Sequence, residues 1–216
     1  MRITAAAVVV SALMVGEPGH ADGPALSAAT CERLTTSLSL PHTTISRARV
    51  VAAGKLVPTV GGAAAAREAG TMPAFCRVEL TITPSTDSDI KSEVWLPMSD
   101  WNGKFLQVGN GAWGGSIQYG ALGDALRRGY AAASTDTGHT GADASFAVGH
   151  PEKLIDFGYR SVHETAVQQG DRRGAFRPRA PFFIFHRMLG GRPHVVHGGA
   201  AFSRRLRRHH RGRPRV

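Results

Sequence analysis

The stretch "WNGKFLQVGNGAWGGSIQYGALGDALRRGYAAASTDTGHTG", residues 101–141, decides the fold of this chain. After an opening turn it continues as a buried apolar strand and then as a glycine-rich loop, "GNGAWGG". The segment "GALGDALRRG" is typical of a helix ended by Gly129, and "YAAAST" is a second apolar strand. Strand, helix and strand in this order favour an α/β sheet.

The residues on either side of this stretch extend the sheet. Residues 75–84, "FCRVELTITP", alternate apolar and polar side chains, and residues 90–97, "IKSEVWLP", follow the turn cluster "STDSD". These two segments predict an antiparallel hairpin. Upstream we expect a short helix from Cys31 and a further strand in "TTISRARVVAAG". Downstream, "ASFAVGHPEKLIDFGY" is predicted to be mostly loop and "RSVHETAVQQ" an amphipathic helix.

The basic charge of the chain belongs to its C-terminal part. Residues 1–167 contain 13 Lys and Arg against 15 Asp and Glu, whereas residues 168–216 contain 13 Arg, no Lys and one Asp. The net charge is therefore −2 in the first part and +12 in the second, which together give +10. A nucleic-acid interaction inferred from the charge of the whole chain would consequently rest on the tail alone.

The N-terminus predicts export. Arg2 precedes a short apolar run, "ITAAAVVVSALMVG", which is too short to span a membrane, and "GHA" offers small residues at a cleavage position. Residues 1–21 are accordingly predicted to be a signal peptide, with the protein secreted or periplasmic. The alternative is an apolar first helix, but "EPGHADGP" would interrupt a helix directly afterwards.

The chain contains two cysteines, Cys31 and Cys76, and their number agrees with an exported protein. An even pair in an oxidising compartment predicts a disulfide, and two buried thiols are the alternative. The absence of closely spaced Cys and His pairs around them argues against a zinc site.

Several long segments resemble one family in the right order. They are "MPAFCRVELTITPSTDSDIKSEVWLP", residues 101–141, and "ASFAVGHPEKLIDFGYRSVHE". From about Cys31 to Val167 the chain resembles the tannase and feruloyl esterase family. The resemblance implies an α/β-hydrolase fold and a serine esterase that acts on esters of phenolic acids. It also implies a G-C-S-x-G-G nucleophile elbow after the next strand, with the aspartate and histidine of the triad much later.

The elbow is missing from the sequence as written, and the tail begins where it should follow. We infer a shift of reading frame near Gln168–Gln169. Since Met188 has a single codon and a leucine follows it, the shifted codon there must encode cysteine. The shifted reading of residues 187–193 permits G-C-S-A-G-G-R, so Leu189 stands where a serine is expected. The flanking residues permit a helix end and a strand before the elbow and a helix after it.

Within the part that resembles the family, the loop "GNGAWGG" is the candidate oxyanion loop, with Gly111 or Ala112 as the backbone donor. A glycine-rich packing turn is the alternative. In "STDTGH", Ser134, Asp136 and His139 are too close together for a triad, and we expect Asp136 and His139 to bond to neighbouring loops.

The remaining candidate residues are expected to be structural. His150 and His163 are predicted to be surface or loop-packing residues. Trp95, Trp101 and Trp113 are expected to be core or turn aromatics, although Trp113 lies in the candidate loop. The tail histidines, including the His194 and His197 pair, lack nearby carboxylates or cysteines, and no metal is predicted.

The sequence thus predicts three parts: a signal peptide at 1–21, an incomplete α/β-hydrolase sheet at 22–168, and an out-of-frame, disordered Arg-rich tail at 169–216. The expected function is that of a carboxylic-ester hydrolase on small phenolic esters, inactive in this chain, with no cofactor, nucleic-acid or membrane partner. The alternative is a protein that binds nucleic acid or an anionic surface through the Arg-rich run at 204–208.

Overall fold

The computed structural model describes residues 25–56 and 70–170, together with the strand segments 182–186 and 194–197, and side chains as far as residue 166. The predicted signal peptide at 1–21 and most of the predicted tail lie outside the described residues. No helix in the described ranges is long and apolar enough to cross a membrane.

Five strands of the sheet lie within residues 25–56 and 70–170. They are β1 (Thr43–Val51), β2 (Phe75–Ile82), β3 (Ile90–Pro97), β4 (Lys104–Val108) and β5 (Ala131–Thr135). β1, β2, β3 and β5 pair antiparallel in that order, and β4 pairs parallel with β5. The predicted hairpin of β2 and β3 and the alternation of strand and helix after it are confirmed.

Two helices cover opposite faces of the sheet. Helix α1 (Ala28–Ser37) begins at Ser27, whose Oγ accepts a hydrogen bond of 3.1 Å from the Thr30 N–H. Helix α2 (Tyr119–Arg127) connects β4 to β5. Gly129, which follows α2, has φ 74°, and a Cβ there would lie 2.5 Å from the Asp100 carbonyl oxygen. Only glycine fits this position, which explains why the helix ends there.

Each face of the sheet has its own apolar core. On the α1 side, Leu34 of the helix packs with Val94 and Leu96 of β3. On the α2 side, Leu122 of the helix packs with Trp95. Adjacent residues of β3 therefore enter opposite cores, as the two-residue repeat of a strand requires. Because both faces are covered, nearly all residues of β2 and β3 are buried, including polar ones.

Residues 144–159 were predicted to be mostly loop, and this prediction was wrong. The segment forms a 3₁₀ helix (Ala144–Ala147), helix α3 (Pro151–Ile155) and a π-helical turn (Asp156–Arg160) that continues directly into α4 (Ser161–Gly170). Arg160 Nη1 donates to Glu152 Oε2 at 2.6 Å, and its Nε donates to Asp156 Oδ1. These ion pairs, which are not visible in the glycine and proline pattern, stabilise the helical turns.

Two strands lie in the tail. β6 (Phe182–His186) pairs parallel with β4, and β7 (His194–His197) pairs antiparallel with β6. The complete strand order is β1-β2-β3-β5-β4-β6-β7. The tail was expected to be disordered, and these two segments instead form strands; most of the other tail residues lie outside the described part of the chain.

Candidate active-site loop

The candidate loop lies at the edge of the sheet where two parallel strands end together. Val108, the last residue of β4, is paired with Ser134 near the end of β5. Residues 109–115, here called the glycine loop, therefore lie beside residues 136–141, here called the β5 loop. The carboxyl ends of parallel strands are the usual place for ligand sites in α/β sheets.

The glycine loop contains a tight turn. The Gly114 N–H donates to the Gly111 carbonyl at 2.9 Å, and Ala112 within this turn has φ 46°. Asn110 Nδ2 braces the loop by donating to the carbonyls of Gly114 at 2.8 Å and Ser116 at 3.1 Å. Within the described part of the chain, no hydrogen bond uses the N–H of Gly111 or Ala112. The turn thus presents two adjacent donors at the strand edge.

The β5 loop holds the C-terminal half of the glycine loop. His139 Nε2 lies 2.9 Å from the Trp113 carbonyl oxygen, and Thr137 Oγ1 lies 3.3 Å from the Gly114 carbonyl oxygen. The Gly115 N–H donates to the Gly141 carbonyl at 2.8 Å. A Cβ on Gly115 would lie 2.5 Å from the His139 carbonyl oxygen, so the close contact of the two loops requires a glycine.

Asp136 organises the β5 loop. Its side chain is 7% exposed, and Oδ1 accepts hydrogen bonds from the N–H of Gly138 at 2.8 Å and of Lys91 at 2.9 Å. Burial raises the pKa of this carboxyl to about 6, against the lowering effect of the two N–H donors. Asp136 therefore fastens the β5 loop to the start of β3.

Four rings surround the junction of the two loops. Trp113 stacks on Phe157 with ring centroids 4.8 Å apart, and His139 stacks on Phe146 at 3.7 Å. Phe146 and Phe157 contact each other at 5.6 Å. Trp113 is 40% exposed, and it is the one member of this aromatic cluster with a large open surface. The expectation that it would be a core or turn aromatic missed this exposure.

The other predicted site residues do not converge on a triad. Ser134 Oγ accepts a hydrogen bond from the Gln118 N–H at 3.0 Å. His139 bonds to the neighbouring glycine loop as predicted, whereas Asp136 bonds within its own loop and to the Lys91 N–H of β3. Exposed His150 lies 2.9 Å from Asp87 Oδ1, which agrees with a surface role. Half-buried His163 has a buried Nδ1 without a partner among the described residues.

The predicted core and disulfide residues lie as expected. Trp95 and Trp101 are buried in the cores. Cys31 and Cys76 form a disulfide that joins α1 to β2 across 45 residues, so the alternative of two free thiols is excluded. Across residues 25–56 and 70–166, no three His, Cys, Asp or Glu side chains are grouped as metal ligands.

Comparison with known proteins shows what this chain is similar to. Residues 76–171 match the family model described as tannase and feruloyl esterase. An uncharacterized esterase of Xanthomonas campestris is 44% identical over 176 residues, which are 80% of this chain and 30% of that protein. Feruloyl esterase B of Aspergillus niger is 32% identical over 138 residues, which are 63% of this chain and 26% of that one.

A solved structure shows the same architecture. The crystal structure of feruloyl esterase B from Aspergillus oryzae superposes with a TM-score of 0.64 at 28% identity, covering 74% of this chain and 32% of that one. The fold is therefore that of an α/β-hydrolase.

Over residues 76–171 the chain belongs to the tannase and feruloyl esterase family, of which it contains the N-terminal part. It spans about a third or less of the length of these relatives.

Proposed function

We propose that this chain is the N-terminal part of a secreted or periplasmic serine carboxylic-ester hydrolase that acts on esters of phenolic acids. The observation that carries the proposal is the glycine loop, which lies at the carboxyl edge of a hydrolase sheet and has two adjacent N–H groups without a hydrogen-bond partner among the described residues. Such donors stabilise the negative oxygen that develops when a serine attacks an ester carbonyl. Gly111 and Ala112 are the proposed oxyanion donors.

The position of β6 supports the proposed place of the nucleophile. His186, the last residue of β6, is paired with Val108 of β4, and the two strands run parallel. β6 therefore ends at the edge from which the glycine loop emerges, and a strand at this place in the frame-restored chain would deliver the elbow to that edge. In the shifted frame these residues permit the elbow G-C-S, and Leu189 occupies the position of the serine. The family match also ends at residue 171, close to the proposed shift.

In the proposed reaction the serine of the restored elbow attacks the ester carbonyl while a histidine accepts its proton and an aspartate orients that histidine. The tetrahedral oxyanion is held by the glycine loop until the alcohol leaves. Water then hydrolyses the acyl-serine. In the chain as written, Leu189 has no nucleophilic atom, so we expect no ester hydrolysis.

The aromatic cluster supports an aromatic acyl group. The exposed ring of Trp113 belongs to the residue directly after Ala112, a proposed donor, and Phe157 backs it. A phenolic ring that stacks on Trp113 would lie close to the glycine loop. An aliphatic acyl group would gain less from the same surface.

The domain boundaries are part of the proposal. Residues 1–21 are the signal peptide, 22–168 the partial hydrolase domain and 169–216 an out-of-frame tail. The disulfide between Cys31 and Cys76 supports an oxidising compartment. We propose a small-molecule ester as partner, without a cofactor, nucleic acid or membrane.

The charge of the tail favours one other function. The net charge of +12 on residues 168–216 is the electrostatic footprint of a protein that binds nucleic acid or an anionic surface. If the tail has that function, deletion of residues 168–216 will abolish a binding that weakens steeply with salt. If it is out of frame, deletion will change no specific activity.

The test begins with the nucleotide sequence from codon 168 onward. The proposal predicts that the alternative frame stays open through the elbow. Hydrolysis of a feruloyl ester is then measured for the chain as written and for the frame-restored protein. Activity in the restored protein alone supports the proposal, whereas activity in the uncorrected chain or stop codons before the serine triplet contradict it.

A further inference from the structure

We propose that His139 is a positioning residue for the oxyanion loop, which it holds through the backbone carbonyl of Trp113. The inference rests on the proposed role of Gly111 and Ala112 as donors. It adds a residue that touches neither the substrate nor the oxyanion and that acts only through the conformation of the glycine loop.

The first support is the geometry of the contact. His139 Nε2 lies 2.9 Å from the Trp113 carbonyl oxygen, which accepts a hydrogen bond when the ring carries its proton on Nε2. The side chain is only 6% exposed, so water replaces this bond poorly. A nitrogen that donates to a backbone carbonyl in a buried site is not available as the general base of the reaction.

The second support is that the histidine ring is itself fixed. It stacks on Phe146 with an interplanar angle of 16°, and it meets the edge of Phe157 at 5.6 Å. Its other nitrogen, Nδ1, lies 3.3 Å from Thr137 Oγ1. Because the ring is held on its face, its edge and its second nitrogen, it acts as a rigid support for the carbonyl.

The third support is the backbone conformation that the contact maintains. Ala112 has φ 46°, a region that costs a non-glycine residue on the order of 1–3 kcal/mol, so the turn needs restraint from outside. The Trp113 carbonyl shares its rigid peptide plane with the Gly114 N–H, which donates to the Gly111 carbonyl at 2.9 Å and so closes the turn that contains Ala112. The Gly115 N–H, bonded to the Gly141 carbonyl, fixes the far end of the same loop.

The test compares His139→Leu and His139→Gln in the frame-restored full-length protein. Leucine keeps an apolar contact with Phe146 but has no donor, whereas the glutamine amide restores an N–H at similar reach. His150→Gln is the control, because His150 is an exposed histidine whose ring bonds to Asp87 rather than to a loop carbonyl. The two readouts are amide hydrogen exchange at Gly114 and Gly115, and kcat and KM for a feruloyl ester.

We expect His139→Leu to speed exchange at both glycines roughly five- to tenfold, as the loss of one hydrogen bond implies. We expect kcat to fall about tenfold with KM little changed, which is less than the ~100–1,000-fold cost of deleting an oxyanion donor outright. His139→Gln should recover most of both losses, and His150→Gln should match the unmodified protein.

Gly115→Ala gives a second test in which residue 139 remains a histidine. The new Cβ would lie 2.6 Å from the His139 ring and must displace it, so the same pair of changes is expected. If His139→Leu does not fold, Gly115→Ala tests whether His139 positions the glycine loop. Unchanged exchange in these variants overturns the proposal, and so does faster exchange with an unchanged kcat. If the restored protein hydrolyses no ester at all, the proposed function fails, and exchange alone decides whether His139 holds the loop.

Discussion

Arg77 and Glu93 form a buried, two-pronged ion pair on adjacent strands of the sheet. Arg77 Nε lies 2.8 Å from Glu93 Oε2, and Arg77 Nη2 lies 2.6 Å from Glu93 Oε1. The same carboxylate accepts hydrogen bonds from Trp95 Nε1 at 2.8 Å and Tyr119 Oη at 2.9 Å. Glu93 of β3 therefore connects to β2 through Arg77 and to helix α2, which follows the glycine loop, through Tyr119.

Replacing Glu93 by glutamine is expected to destabilise the fold strongly. Arg77 would remain buried with only the Glu79 carboxylate, at 3.2 Å from its Nε, as a charged partner. Breaking a buried pair costs about 3–5 kcal/mol, and we expect a loss towards the lower end of that range. The matched control is Asp124→Asn, which breaks an exposed pair with Arg127 and should cost ~1 kcal/mol or less. Urea unfolding of the frame-restored protein measures both, and equal losses in the two variants would contradict the buried role of Glu93.

We expect the disulfide between Cys31 and Cys76 to stabilise the fold about as much as the ion pair of Arg77 and Glu93. It closes a loop of 45 residues between α1 and β2, which corresponds to about 3–4 kcal/mol on the chain-entropy account. We expect the double variant Cys31→Ala/Cys76→Ala to lower the free energy of unfolding by that amount. Reduction of the unmodified protein should have the same effect and should not affect the variant. A variant as stable as the oxidised protein would show that the bond is not a stabilising element.

Asp136 predicts a pH dependence of stability. Its pKa is raised from 3.8 to about 6 in the fold, so the folded state binds a proton that the unfolded state releases between these values. The free energy of unfolding should therefore fall as pH rises from about 4 to about 6, by on the order of 2–3 kcal/mol, and stay level above this window. Asp136→Asn should flatten this segment, because the amide oxygen can still accept from Lys91 and Gly138.

The control for this prediction is Asp124→Asn, since the Asp124 side chain is 75% exposed. Its stability profile between pH 4 and 6 should keep the slope of the unmodified protein. A profile for Asp136→Asn that retains the full slope would assign the pH dependence to another group.

Trp113 predicts selectivity for aromatic acyl groups. In the frame-restored protein, Trp113→Ala should lower kcat/KM for the 4-nitrophenyl ester of ferulic acid roughly 3- to 10-fold, the worth of one aromatic contact. The acetyl ester with the same leaving group should change much less. Equal losses for both esters would mean that Trp113 supports the loop rather than the acyl group.

Much of the fold was readable from the sequence because its signals are local. The alternation in 75–84 and 90–97 predicted the hairpin, and the apolar runs on either side of α2 predicted β4 and β5. The helical turns between Ala144 and Arg160 were missed because Gly149 and Pro151 are typical of loops. The ion pairs of Arg160 with Glu152 and Asp156, which stabilise these turns, are not apparent from the pattern of apolar residues, glycines and prolines.

The support of the glycine loop was not readable in the same way. His139 and Trp113 lie 26 residues apart, and they meet because β4 and β5 are parallel neighbours that end together. The close spacing of Ser134, Asp136 and His139 in "STDTGH" correctly indicated that they form no triad. It gave no indication that the Trp113 carbonyl is the partner of His139. The glycine at position 115 was a partial signal, since it permits the close approach of the two loops.

The most direct measurement is the labelling of the frame-restored protein with a serine-directed alkyl phosphonate, followed by peptide mapping. We predict a single modified serine, encoded at the position that is Leu189 in the chain as written, and no labelling of the uncorrected chain. Modification of Ser134, or a restored protein that takes up no label, would contradict the assignment of this chain to an interrupted serine esterase.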